Sequence, residues 1–316
     1  DATFDERVVP DPVHVPGPPC FERCRDEFSG APVKQPERVV PGNPLFDDSD
    51  ILWAQRYLIS RLQRERWRWF AILSTPRGKT PAEAIAWRRD LVHGLGDCDV
   101  AGLYWPWLLT QAVPGEPVSA NSPVGCIAGV FARRDRGRGP HVAPANEPLF
   151  GVVGLEWPID DEVNARVYDA GVNVLRNRPG RGIRVWGART LLWESPDSRF
   201  RTLAFVIARR CLTAIARTAH HLGEESVFEP NSIALRAQIV LVLFGYLMDV
   251  YRSGALKGGT PEQAFYIQCD SNNNTVEMQA SGELVCDIGV ALVAPAEFIV
   301  FRVGRRNAVT EIAEAA

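Results

Sequence analysis

His220-His221, followed by Glu224 and Glu225, is a dense cluster of proton-transfer and metal-ligating side chains. Imidazoles and carboxylates together can hold a metal ion or move a proton. Adjacent helical positions point about 100° apart, so the two histidines diverge where i, i+4 residues would converge. A solvated helix end is the better reading, with imidazoles suited to the negative end of a helix dipole. Arg178-Pro179-Gly180-Arg181-Gly182 has glycines for close backbone approach to an anion and guanidiniums for charge. It has no Walker lysine and no G-x-G-x-x-G leading into a helix, so a tight turn feeding a strand over residues 183–186 is expected.

The remaining chemistry-bearing clusters are weaker. Asp97 and Asp99 flank Cys98 in what reads as a short solvent-facing loop, from which no paired-carboxylate site follows. Cys20 and Cys24 have no second pair or nearby histidine to complete a zinc site. The run Arg133-Arg134-Asp135-Arg136-Gly137-Arg138 lacks interleaved aromatics and reads as a Gly-rich loop, solvated or salt-bridged to another subunit rather than a nucleic-acid site. No nucleophile elbow or H-E-x-x-H motif occurs. No catalytic, cofactor-binding or metal residue is assigned.

The chain is 316 residues long and 46% hydrophobic, enough to bury a sizeable core in one large α/β domain or two smaller ones. A formal net charge of −3 supplies no general basic field, so nucleic acid and anionic membrane are poor default partners. Seven scattered cysteines, mostly in apolar runs, suit reduced core thiols in a cytoplasmic protein. No secretory signal is visible, and the longest apolar run, residues 239–248, is about half the ~20 residues a spanning helix requires. The expectation is a soluble chain without membrane insertion. The first residue is Asp1 rather than Met, which implies that a piece is missing upstream.

These clusters must be carried by ordered elements. Residues 1–50 are proline-rich and read as extended surface chain. Asp50 can cap a helix to about Arg64, and residues 69–73 read as a buried strand. Thr80-Pro81-Ala82-Glu83 has the grammar of a capping box opening a helix to about His93, and residues 100–104 follow as a strand. That succession favours α/β. Two long helices are expected over residues 200–222 and 232–253. In the first, Leu203, Ile207, Cys211, Ile215 and Ala219 form one apolar face, with Arg209, Arg210 and Arg217 projecting elsewhere. The second is apolar nearly all round from residue 239 to 248 and reads as buried. Thr260-Pro261-Glu262-Gln263 repeats the capping-box grammar. Strands are then expected over residues 265–269, 283–293 and 297–303, with an Asn-rich loop at 270–275 and a break at Pro295.

The blocks Ala264-Phe265-Tyr266-Ile267-Gln268-Cys269-Asp270, Gly282-Glu283-Leu284-Val285-Cys286-Asp287-Ile288-Gly289-Val290-Ala291 and Pro295-Ala296-Glu297-Phe298-Ile299-Val300-Phe301-Arg302 resemble the C-terminal domain of contractile tail sheath proteins. So do the turn Tyr104-Trp105-Pro106-Trp107, residues 122–133 and 143–149, Gly171-Val172-Asn173, residues 180–190, and Val227-Phe228-Glu229-Pro230-Asn231. The likeness covers residues 65–303. It implies an α/β fold, a mixed sheet flanked by helices, with a β-rich C-terminal region ending in an inter-subunit arm. The implied division is an extension at 1–50, a sheath domain at 51–192, a C-terminal domain at 193–303 and an arm at 304–316.

The implied function is structural and without catalysis or cofactor. Copies of the chain stack as helical rings around an inner tube, bounded by baseplate and cap proteins, and contract to drive the tube through a target envelope. Assembly takes place in the bacterial cytoplasm, within a phage tail or phage tail-like particle. The inter-subunit strand is expected at Glu297, Phe298, Ile299, Val300, Phe301 and Arg302, or in the tail 305–312 after it. The tube-facing candidates are Arg209, Arg210, Arg217, His220 and His221. In the family that helix is acidic near its end, whereas here Glu224 and Glu225 come only after Gly223. The Pro-Gly-Val-Tyr-like strand with which sheath arms begin is not found. Both departures suit a terminal or baseplate-proximal paralogue as the alternative, and a metabolic α/β enzyme without recognisable motif is the competing class.

Overall fold

A computed structural model describes residues 46–65, 68–111, 117–193, 198–295, 302–305 and 308–311. The chain divides into two units, Asp1–Asp47 and Asp48–Ala316, and the elements below belong to the second.

Helix α1, Asp48–Arg64, begins before the Asp50 expected as its cap; Asp48 and Asp50 both sit in its first turn, where carboxylates suit the positive helix end. Strand β1 is Ala71–Ser74, starting later than expected because Trp69 stays outside the core, 53% exposed. Helix α2, Pro81–Val92, has the full capping box. The Glu83 backbone N–H donates to Thr80 Oγ1 at 3.3 Å and the Thr80 backbone N–H to Glu83 Oε2 at 2.8 Å. Those bonds from Thr80 hold the Glu83 carboxyl below its ordinary pKa.

Strand β2, Ala101–Trp105, is buried throughout. Strands β3, Leu108–Thr110, and β4, Ser119–Asn121, precede helix α3, Val124–Arg138. The basic run at 133–138 is therefore the end of a helix and not a loop. Gly137 is accommodated inside it, and the chain turns only at Gly139, where φ is 90°. Then come β5, Glu147–Pro148, β6, Val152–Leu155, helix α4, Asp161–Asp169, and the hairpin of β7, Asn173–Arg178, with β8, Gly182–Trp186. The glycine-arginine stretch is the turn of that hairpin, with Gly180 and Gly182 at φ 73° and 74°.

A five-stranded sheet in the order β1-β2-β7-β8-β5 forms the centre. Strands β1, β2 and β7 run parallel, and β8 and β5 add antiparallel. Successive residues of a strand face opposite ways, which splits the core in two. Leu103, Trp105 and Val174 meet Ile59, Trp87, Leu91 and Val167 of α1, α2 and α4, while Tyr104 and Leu175 meet Ile127, Val130 and Phe131 of α3. A smaller antiparallel sheet, β4-β3-β6, lies beside it in the chain path.

Parallel pairing of β2 with β7 is short, with Tyr104 opposite Asn173 and Trp105 opposite Val174. The buried Asn173 side chain extends it. Its carboxamide donates to the Leu103 and Arg189 carbonyls at 3.2 and 2.8 Å and accepts from the Arg189 N–H at 2.7 Å. Gly187 admits this approach, since a Cβ there would lie 2.8 Å from Asn173 Oδ1 and 3.0 Å from Asn173 Cα. The Arg189 guanidinium carbon sits 3.6 and 3.4 Å from the ring centroids of Tyr168 and Trp193.

Residues 198–204 are a 3₁₀ helix and α5 is Val206–Glu225, so the helix expected from residue 200 begins later. The physical reason is backbone competition. The Thr190 N–H donates to the Ala204 carbonyl and the Val206 N–H to the Ala188 carbonyl, both at 2.8 Å, and Phe205 bridges Arg189 in strand fashion. Helix α6, Ile233–Arg252, is capped by Ser232, whose hydroxyl accepts from the Leu235 N–H at 3.1 Å. The short α7, Pro261–Ala264, has no side-chain cap bond from Thr260; Gln263 Oε1 instead accepts from the Gly259 N–H at 3.0 Å.

Strand β9, Phe265–Gln268, leads through the Asn loop and an unexpected short helix α8, Val276–Ala280, to β10, Asp287–Val290. The strand expected from 283 to 293 is shorter because the Asn274 side chain takes both backbone groups of Val285, each at 2.8 Å, in place of a ladder partner. Cys211 and Ile215 of α5, Leu247 of α6, Leu256 and Phe265 close a third core. Arg302–Arg305 and Ala308–Glu311 form an antiparallel hairpin, β11 and β12. Of the strand expected over 297–303, residues 297–301 lie outside the described residues, and the observed strand runs on to Arg305.

Asn173→Leu is expected to cost about 2–4 kcal/mol of unfolding free energy in urea titrations, from ~1–3 kcal/mol for each buried backbone group left unsatisfied.

Candidate functional site

Helix α5 carries all the tube-facing candidates, and the structure separates them. Its buried stripe is Val206, Ile207, Cys211 and Ile215. Arg209 joins that side, 4% exposed, with Nη1 donating to Asp99 Oδ2 at 3.0 Å and Nε to Thr213 Oγ1 at 3.3 Å. Asp99, expected to face solvent, is 1% exposed. The sequence signal for it lies in its neighbours: buried Val100 leads into an entirely buried strand, so a carboxylate next to it enters the core and needs a counter-charge. Arg210 is largely buried, paired with Asp135 of α3 and placed 4.5 Å from the Phe131 ring centroid. Neither Arg209 nor Arg210 is a free surface cation.

Arg217, His220 and His221 are exposed. His220 Nδ1 lies 3.4 Å from Glu224 Oε1 and His221 Nε2 lies 3.7 Å from Glu225 Oε1, contacts that become ion pairs when the imidazoles are protonated. Gly223 does not end the helix, which runs to Glu225. The two carboxylates therefore belong to α5 itself. Among the described residues no group of three or more His, Cys, Asp or Glu could hold a metal ion.

Helix α6 was expected to be buried, and it is mostly not. Arg236, Leu243 and Leu247 face inward, while Ile233, Leu241, Val242 and Phe244 are exposed, Leu241 at 72%. By length and composition the helix would suffice to cross a membrane; counting only the uninterrupted apolar run missed this. A signal for the open side was present in Gln238, Gly245 and Asp249, which recur at helical spacing opposite the inward residues.

The β9–β10 ladder ends at Gln268 opposite Asp287, and just beyond it the Cys269 and Cys286 thiols are hydrogen-bonded to each other. Burial pushes the Cys269 thiol up, and burial together with the neighbouring Cys269 pushes Cys286 up to about 12. Burial alone raises Cys211 to about 11.

Residues 39–191 match the family described as the phage tail sheath protein central domain. The tail sheath protein of Burkholderia phage BcepMu is 27% identical over 245 residues, covering 73% of this chain and 48% of that protein. The baseplate of the anti-feeding prophage, solved by cryo-EM with 6-fold symmetry, contains a chain similar with a TM-score of 0.68 and 26% identity, over 82% of this chain and 66% of that one. A chain of the contracted sheath complex of the extracellular contractile injection system PVC gives 0.64 and 27%, over 75% and 64%. What these share is an α/β sheath domain. This chain is similar to contractile tail sheath proteins, and it spans about half the length of the Burkholderia phage relative.

Two outcomes follow from the buried groups. Asp99→Ala is expected to destabilise the fold by about 3–5 kcal/mol by leaving a buried guanidinium uncompensated, and Asp99→Leu with Arg209→Met to recover most of that loss in the same denaturant titration. The thiols of Cys211, Cys269 and Cys286 are expected to alkylate more than about tenfold more slowly in the folded than in the urea-unfolded chain at mildly alkaline pH, since each unit of raised pKa removes tenfold of the thiolate. Site-resolved mass spectrometry reads this directly.

Proposed function

We propose that this chain is a structural subunit of a contractile sheath, without catalysis, that polymerises as stacked helical rings around an inner tube between baseplate and cap. The observation that carries this reading is the open apolar side of α6, with Ile233, Leu241, Val242 and Phe244 exposed in the single chain. Several large apolar side chains left exposed on one helix mark an interaction site. It occurs on a fold whose likenesses include a baseplate and a contracted sheath.

Lattice contacts of two kinds are needed, one that survives contraction and one that is exchanged. Among the described residues the hairpin β11–β12 is a two-stranded sheet, so each strand has an outer edge for a strand from a neighbouring copy, in which main-chain hydrogen bonds supply the affinity. The segment Glu297 to Arg302 remains the proposed donor. Head-to-tail addition of this kind does not close on itself and grows a filament. Arg217, His220 and His221, with Glu224 and Glu225, are the proposed tube-facing surface. Exposed pairs there are worth about 0–1 kcal/mol each and gain weight only by repetition.

Co-expression with the tube protein followed by electron microscopy is expected to show striated helical assemblies, and removal of residues 297–316 to abolish them while leaving the circular dichroism of the body intact. A discrete closed oligomer that turns over a small molecule overturns the reading. Decoration of one ring beside the baseplate, rather than every ring, identifies the specialised paralogue that the 82% coverage against the anti-feeding prophage baseplate also suits.

A further inference from the structure

Just past the end of the β9–β10 ladder two free thiols meet. Cys269 is buried, Cys286 is half-buried, and their sulfurs are within hydrogen-bond distance of each other. Residues facing each other across an antiparallel pair hold their Cβ atoms about 4.5–5.5 Å apart, and a disulfide needs about 3.5–4.5 Å, so a small approach of the two strand ends suffices to join them. The thiol contact has a polarity. It favours the charged form of Cys269 and disfavours that of Cys286, so the Cys286 S–H donates to the Cys269 sulfur.

The surroundings act on the two sulfurs unequally. Burial raises the Cys269 thiol above its ordinary value, and the carboxylates of Asp270 and Asp287 add to that, while the Cys286 donor and the Arg236 guanidinium of α6 pull the other way. Arg236 is itself 7% exposed, with Nη1 buried and without a hydrogen-bond partner among the described residues. A charge so placed is little screened by salt or water. Cys269 is thus the sulfur prepared to carry negative charge, and Cys286 the one that keeps its proton. Between them, residues 270–285 are largely exposed and are fastened by side-chain amides: Asn274 takes both backbone groups of Val285 at 2.8 Å each, and Asn273 Nδ2 donates to the Gln268 carbonyl at 2.7 Å.

We propose that Cys269 and Cys286 form a modification site at which a peroxide makes a disulfide that clamps residues 270–285. The Cys269 thiolate attacks one peroxide oxygen: an S–O bond forms, the O–O bond breaks, and the departing hydroxide takes up the proton that Cys269 released and leaves as water. Cys269 is then a sulfenic acid. The Cys286 sulfur attacks it, an S–S bond forms, the S–O bond breaks, and hydroxide leaves with the Cys286 proton as a second water. The two thiols lose two electrons and the peroxide gains them. Thiolate is scarce at a buried sulfur, so the first step is slow, and the second is fast because its partner is already in contact.

The test incubates the full-length chain with excess hydrogen peroxide, denatures it in an alkylating agent and maps the unreduced digest by mass spectrometry. Peptides joined through Cys269 and Cys286, lighter by the hydrogens lost and separated again by dithiothreitol, are expected. Cys286→Ser is expected to leave Cys269 as a sulfenic acid that dimedone traps at least about tenfold faster than it traps Cys286 in Cys269→Ser, with circular dichroism verifying that both variants fold. In urea the oxidised chain is expected to unfold with an equilibrium constant about a hundredfold smaller than that of the reduced chain, as closure of a loop of this length implies, and Asn274→Ala to weaken the oxidised chain less than the reduced one. Oxidation that ends in sulfinic acid, joins either thiol to a different cysteine or traps Cys286 first overturns the proposal, as does a urea midpoint that oxidation leaves unchanged. The site needs no neighbouring copy. Helical assembly by a chain that never forms the bond removes this site and leaves the sheath reading standing, and the bond forming in a chain that never assembles does the reverse.

Discussion

Two opposite charges buried against each other, Asp99 at the mouth of β2 and Arg209 on α5, fix how the C-terminal helices sit against the central sheet. Neither group tolerates the interior alone, because an unpaired buried charge costs several kcal/mol. Any other rotation or register of α5 therefore strands one of them. The backbone agrees with the side chains: residues 204–206 pair with 188–190 before the helix begins. Strand-like pairing on one side of Val206 and a buried ion pair one turn beyond it leave α5 a single seat. The third core, from Cys211 and Ile215 to Phe265, is then built outward from that helix.

Much of this was legible where chemistry is local. Thr80-Pro81-Ala82-Glu83 specifies its helix start through atoms a few residues apart, and the two glycines around Arg181 specify a turn by backbone freedom alone. Ser232 likewise announces α6. Interactions that close over long sequence separation were not legible. Nothing near residue 200 says that 204–206 will be claimed by 188–190, and nothing near Val285 says that the Asn274 carboxamide will occupy its backbone. Asp99 and Arg209 are 110 positions apart. The candidate surface suffered in the same way, since Arg209 and Arg210 share the residue type of Arg217 but not its environment.

Helix α6 shows a different failure. Composition measures how strongly a segment avoids water, not whether its own chain has enough mass to cover it. In an isolated folding unit the two coincide, so an all-round apolar helix reads as core. Here Leu243 and Leu247 are covered and Leu241 and Phe244 are not. The contrast is with the central sheet, whose faces α1, α2, α4 and α3 close completely around Leu103 and Tyr104.

That open apolar flank bears on how such a chain lives before it finds its place. A newly made copy leaves the ribosome with Ile233, Leu241 and Phe244 in water, and every encounter with another unassembled copy carries the same hydrophobic reward as a correct one. Under the proposed sheath role, growth depends on supply: a template that sequesters monomers as fast as translation delivers them keeps the free pool dilute. Matching expression to the number of growing tips is then part of the protein's folding problem.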